Sequence, residues 1–206
     1  PLVLRGLPRH DVELMREIAE PHLDLVDVQA LVERALRIAR AESPAAENPM
    51  ALHAGRSHAF VRALAGELRE RYHDPDVVSL CKYDDRDRAR LGMRELLHDI
   101  SVCRVAPVES ASKSRTLWYV VGALWQVESE LARDSRQALV DFNKLVLGSA
   151  HHKLFVGPQV ADPEAFLGVL RPAAARCVGQ VFAALIPHPD RWDIAGPDVE
   201  VWRLRP

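Results

Sequence analysis

The sequence predicts an α/β protein: a mixed β-sheet flanked by helices, preceded by an all-helical N-terminal region. Three observations predict it. Apolar residues recur at helical spacing through roughly the first seventy positions. After Asp74-Pro75 the chain changes to short runs that alternate or are rich in β-branched residues, bounded by Gly, Pro and Asp. Those runs come three in succession and then alternate with helical segments, in the order β-β-β-α-β-α-β-β. A hairpin followed by β-α-β implies a sheet that is antiparallel at one side and parallel at the other. The division expected is a helical region over residues 1–74 and an α/β core over residues 75–206.

Each element has a local reason. Residues 12–18 begin an amphipathic run that stops near Pro21. Residues 25–41 carry Val28, Leu31, Val32, Ala35, Ile38 and Ala39 at helical spacing, and Ser43-Pro44 follows. Residues 49–72 form a third helix with Phe60, Val61, Leu64 and Leu68 as its apolar stripe. Residues 77–81 read as a short strand, and the charged run 84–90 as a solvated loop or helical turn. A second strand is expected over residues 95–105, a Ser-rich hairpin loop over 107–115, and a long strand over 117–131 with a bend at Gly122. Residues 135–147 form a helix capped by Asp134 or Ser135. A strand over 153–156 ends at Gly157-Pro158. Asp162 and Pro163 open a helix over 163–177, as N-cap and first helical residue, and Pro172 kinks it. Strands over 181–186 and 199–204 complete the chain.

Composition narrows the function classes. The chain has 206 residues, 48% of them hydrophobic and 27% charged, and a formal net charge of −2. A protein that coats nucleic acid carries a clear basic excess, so this balance speaks mildly against that role, though acidic metal ligands in a nuclease would offset basic contacts. No run approaches the roughly 20 apolar residues needed to span a bilayer. Cys81, Cys103 and Cys177 are scattered and form no CxxC pair, which suits reduced, buried thiols in a cytoplasmic protein. The nine His residues show no zinc-ligand spacing. Trp118, Trp125, Trp192 and Trp202 read as packing residues.

Glu128 and Glu130 carry most of the chemical information. They stand at i and i+2 in Leu124-Trp125-Gln126-Val127-Glu128-Ser129-Glu130-Leu131. A strand places such residues on one face, about 6–7 Å apart at Cα. Two like charges side by side on a half-buried strand repel, unless they face water or share a cation. An acid on the neighbouring strand would complete an oxygen-ligand set for a divalent ion. Asp99 is that acid; strands disfavour Asp, so its presence invites a reason. Period-2 counting puts Glu95 on the same face as Asp99, as an auxiliary ligand. The plainer alternatives are acids on a solvated face, Asp99 paired with Arg94 or Arg104, and Glu95 as a surface acid.

On Leu97-His98-Asp99 and Glu128-Ser129-Glu130 the chain resembles the PD-(D/E)xK nuclease superfamily, the restriction-endonuclease-like fold. Its core is a mixed sheet flanked by helices in α-β-β-β-α-β order, with an acid on the second strand and E-x-K on the third. The resemblance covers roughly residues 76–187. His98 stands where the family has proline, and Glu130 where it has lysine. Lys144, on the following helix, is the candidate replacement, although Asp141 at i−3 offers it an ordinary ion pair. The resemblance implies a nuclease, acting on DNA, that uses Mg2+ or Mn2+. Asp99, Glu128, Glu130 and Glu95 would be the metal ligands, Glu130 a ligand or general base, and Lys144 an aid to the attacking water. Lys113, Arg115, Arg133 and Arg136 could meet phosphates, and a homodimer is possible. The other reading is a catalytically inactive scaffold of the same fold, serving as an interaction or regulatory subunit.

Overall fold

The computed structural model describes residues 23–42, 46–92, 95–112, 114–194, 196 and 198–205. The amphipathic run expected over residues 12–18, the Ser43-Pro44 break, Arg94 and Lys113 lie outside them. Helices α1 (Leu25–Ala41) and α2 (Pro49–Glu70) are followed by β1 (Val77–Cys81) and the short α3 (Arg88–Leu91). Then come β2 (Ile100–Ser110), β3 (Arg115–Ser129), α4 (Ser135–Leu147) and β4 (His152–Pro158). Helix α5 (Pro163–Ala174), β5 (Gln180–Ile186), a 3-10 turn at Pro189–Arg191 and β6 (Glu200–Arg205) complete the order.

One sheet holds all six strands in sequence order. Strands β1, β2 and β3 form an antiparallel meander, β3, β4 and β5 run parallel, and β6 returns antiparallel. The mixed character follows from connection length: a tight turn joins β2 to β3, while helices carry β3 to β4 and β4 to β5.

Side-chain alternation sorts the sheet into two cores. Leu154, Val156, Phe182, Ala184 and Ile186 face α1 and α2, sharing a core with Leu31, Leu36, Phe60 and Leu64. Phe155, Val181, Ala183 and Leu185 face the other way, onto Phe142 and Leu145 of α4 and Leu167 and Leu170 of α5. The N-terminal helices thus cover one sheet face. They are anchored by buried Arg56, which donates to the Pro189 carbonyl and to Asp193, both at 2.6 Å.

Caps match the sequence signals. Asp134 accepts from the Arg136 N–H at 2.8 Å and Asp162 from the Ala165 N–H at 2.9 Å. The bend expected near Gly122 is a pair of register shifts, between Val102 and Cys103 and between Arg104 and Val105. They leave Leu124 and Val121 as extra residues in β3. That is why consecutive Leu124 and Trp125 both enter the same core.

Three expectations need correction. The second strand begins at Ile100 rather than residue 95, because Leu96 and Leu97 are exposed and residues 95–99 form an irregular approach. Asp99 therefore precedes β2, and Glu95 does not share a strand face with it. The hairpin loop is shorter than residues 107–115: β2 runs to Ser110 and β3 starts at Arg115. Within the charged run, Asp87 is buried, held by Arg69 at 2.5 Å and the Ser79 N–H at 2.9 Å. Cys81, Cys103 and Cys177 are all buried and unbridged. Trp125 and Trp192 are buried, with their indole N–H groups on the Tyr72 hydroxyl and the Pro187 carbonyl. No helix of the described residues is long and apolar enough to cross a membrane.

Candidate active site

The antiparallel register of β2 and β3 decides where the acids meet. Ile100 lies opposite Val127, so Asp99, one residue earlier, comes opposite Glu128, one residue later. Its carboxylate accepts from the backbone N–H of Ser129 at 2.9 Å. Ser129 is the residue between the paired glutamates, so the three acids converge at one end of the sheet. Glu95 is exposed but close enough to push Asp99 upward electrostatically.

Glu128 is 1% exposed. Its Oε2 accepts from the Lys144 ammonium at 3.0 Å, while its Oε1 is buried without a hydrogen-bond partner. Lys144 also meets Asp141 Oδ1 at 2.9 Å. Glu130 accepts from the Ala132 N–H at 2.7 Å, and Asp141 lies close enough to push its carboxyl upward. Both glutamates thus come near α4, Glu128 from the end of β3 and Glu130 from just beyond it. Arg104 is spent on Asp74 at 2.5 Å and does not pair with Asp99.

Electrostatics follow from crowding. Burial first, and Asp99 second, push the Glu128 carboxyl up to about 8, against Lys144. Burial raises Asp99 too, opposed by the Ser129 N–H and Lys144. Burial and the Asp141 carboxyl outweigh the Ala132 N–H and raise Glu130. Burial works to lower the Lys144 ammonium, but Asp141 and Glu128 outweigh it and hold the group above its ordinary value. Four carboxyls (Asp99, Glu128, Glu130, Asp141) around one ammonium leave −3 if all are ionised (−4 + 1). At neutral pH Glu128 escapes that repulsion by keeping its proton. Neither form satisfies Oε1: ionised, it lacks a donor, and protonated there, it lacks an acceptor.

A divalent cation would relieve both deficits. The donors are all carboxylate oxygens, which suits Mg2+ or Mn2+ rather than zinc, and Glu128 Oε1 is the orphaned acceptor such an ion would use. By residue type Asp99, Glu128 and Glu130 suit the role; Glu95 suits it less, being exposed and off the strand. Among the described residues, no group of three or more His, Cys, Asp or Glu is placed so that it could hold a metal ion. The Lys144 ammonium instead lies between Glu128 and Asp141.

A cleft of about 250 Å³ opens beside the acids. Asp99, Ser129 and Glu130 line one wall, and His53, Ser57 and His58 of α2 with Tyr83 line the other. The second wall was not legible in the sequence, because His53 and His58 belong to a helix outside the acidic strands and Tyr83 follows β1. Asp141 carried a partial signal, its i−3 spacing to Lys144.

No family model, curated protein or solved structure matches the chain.

Proposed function

We propose that the protein is a metal-dependent nuclease that hydrolyses phosphodiester bonds in DNA at the acid cluster of Asp99, Glu128 and Glu130. The observation that carries this reading is Glu128: fully buried, one oxygen unpartnered, beside a second acid and a lysine. A structural ion pair does not require a third and fourth carboxyl around it. The α-β-β-β-α-β order of α2, β1, β2, β3, α4 and β4 supports the same reading by resemblance to the PD-(D/E)xK superfamily.

In this reading Asp99 and Glu128 would hold Mg2+, with Glu130 beside them. When bound, the ion lowers the pKa of an attacking water and offsets charge on the phosphate. Glu130, held protonatable by burial and Asp141, accepts the proton of the water as general base. Lys144, positively charged throughout the neutral range, orients the water or neutralises the phosphate. Its reach to Glu128 from a helix serves where the family's strand lysine is replaced by Glu130.

The test is cleavage of labelled single-stranded and duplex DNA and RNA with Mg2+, by wild type and by Asp99→Asn and Glu128→Gln. Metal-dependent cleavage that falls at least about a hundredfold in both variants supports the proposal. Equal activity in variants and wild type removes it.

A second reading is an inactive scaffold of this fold. The Lys144 bridge favours it, since the ammonium already offsets part of the carboxylate charge. Absence of cleavage on every nucleic acid, with stability indifferent to metal, would establish it over the first.

A further inference from the structure

The acids line a cleft that also carries stacked aromatic rings, and two guanidinium groups line a second cleft. His58 of α2 stacks on Tyr83 with ring centroids 4.0 Å apart and planes 21° from parallel. Both rings line the cleft that Asp99 and Glu130 line from the opposite side. Tyr83 is close enough to Asp99 for that carboxylate, after burial, to push its hydroxyl upward. Along the cleft, His53 meets His188 with ring centroids 5.0 Å apart. His188 lies within electrostatic reach of Arg133 and Arg191. Those two arginines are exposed and line a second, wider cleft of about 670 Å³.

Resting on the nuclease reading above, we propose that the two clefts form one track, the binding site for an unpaired nucleic-acid strand. One base stacks at the Tyr83–His58 pair, its phosphate lies at the acids, and the neighbouring phosphates lie at Arg133 and Arg191. Three features select a single strand. A 250 Å³ cleft is smaller than the roughly 300–1,000 Å³ of whole drug-sized ligand sites, so it admits one planar base and not a duplex. Stacking on an aromatic ring uses the face of a base, which is available only when the base leaves its neighbours. Guanidinium groups on the far side match phosphate oxygens bidentately. The proposal also gives the N-terminal helices a role: α2 builds the wall facing the acids.

Binding can be read apart from cleavage. Fluorescein-labelled oligothymidylate and a duplex of equal length would be titrated with protein in Ca2+ at two salt concentrations, with fluorescence anisotropy as readout. The variants are Tyr83→Ala, Tyr83→Phe, His58→Ala and a double Arg133→Ala/Arg191→Ala, each checked for wild-type melting. Expected are single-strand binding at least about tenfold tighter than duplex, about tenfold loss in Tyr83→Ala and His58→Ala, and rescue in Tyr83→Phe. The double arginine variant should show weaker binding with a shallower salt dependence. If Tyr83→Ala does not fold, His58→Ala on the helix surface carries the test. Duplex bound as tightly as single strand, or no effect of the ring variants, overturns the proposal while leaving the nuclease reading intact. Single-strand binding with these variant effects, together with no cleavage in the separate Mg2+ assay above, supports the track and removes the hydrolytic reading. No binding to either nucleic acid overturns the track.

Discussion

At the scale of single residues, Glu128 concentrates the account. A carboxyl whose pKa is raised by folding binds its proton more tightly in the folded state than in the unfolded one. Stability then falls as pH rises from its ordinary value of 4.5 to about 8. Glu128→Gln mimics the protonated form and abolishes that slope. Chemical denaturation from pH 5 to 9 should therefore show the variant gaining on the wild type with rising pH, by on the order of 2–4 kcal/mol. A constant difference across that range would mean that Glu128 ionises in the folded protein as it does in solvent. The same buried oxygen that makes Glu128 costly is the one a bound ion would use. Lys144→Met removes the only ammonium bonded to Glu128 among the described residues. Cleavage should drop at least tenfold, with the acidic limb of its pH profile displaced upward, because Glu128 then ionises less readily. An unchanged pH–rate profile in Lys144→Met would remove Lys144 from the mechanism.

Elements explain which parts of this were legible beforehand. The i, i+2 spacing of Glu128 and Glu130 reports directly on a strand, and Ser135–Leu147 and Pro163–Ala174 announce themselves through Asp134, Asp162 and Pro163. Glu95 misled because Glu95, Leu97, Asp99 and Ser101 do alternate, yet Leu96 and Leu97 are exposed and the pairing begins only at Ile100. Alternation describes a pattern of side chains; the strand needs a partner for its backbone. The opposite wall of the cleft was invisible for a different reason. His53, His58 and Tyr83 come to Asp99 only through the docking of α2 on the sheet, a long-range event with no local signature. The end of α4 offers a sharper structural test. A Cβ at Gly148 would lie 2.0 Å from Gln126 Oε1, and that oxygen accepts from the Ala150 N–H at 3.0 Å. Gly148→Ala must displace the Gln126 amide and leave a buried donor unpaired, costing about 1–3 kcal/mol in denaturant melts. A neutral result would show that the β3–α4 junction yields easily.

At the scale of the whole molecule, the sheet serves as a frame with its chemistry at one end. The meander brings Asp99 to Glu128, the parallel half sends α4 back over the same face to deliver Lys144 and Asp141, and α1 and α2 close the other face. A ligand that binds only this folded arrangement must stabilise all of it. Mg2+ at a hundredfold excess over its Kd should add about 2.7 kcal/mol, which for a chain of this size is roughly 5–10 °C in Tm, reversed by a chelator. The most direct test is calorimetric titration of Mn2+ into wild type, Asp99→Ala and Glu128→Ala, all melting cooperatively. A single saturable site in the wild type, lost in both variants, is the predicted result. No saturable binding in the wild type, or binding that survives both substitutions, would contradict the claim that Asp99, at the entry to β2, and Glu128, on β3, hold one ion.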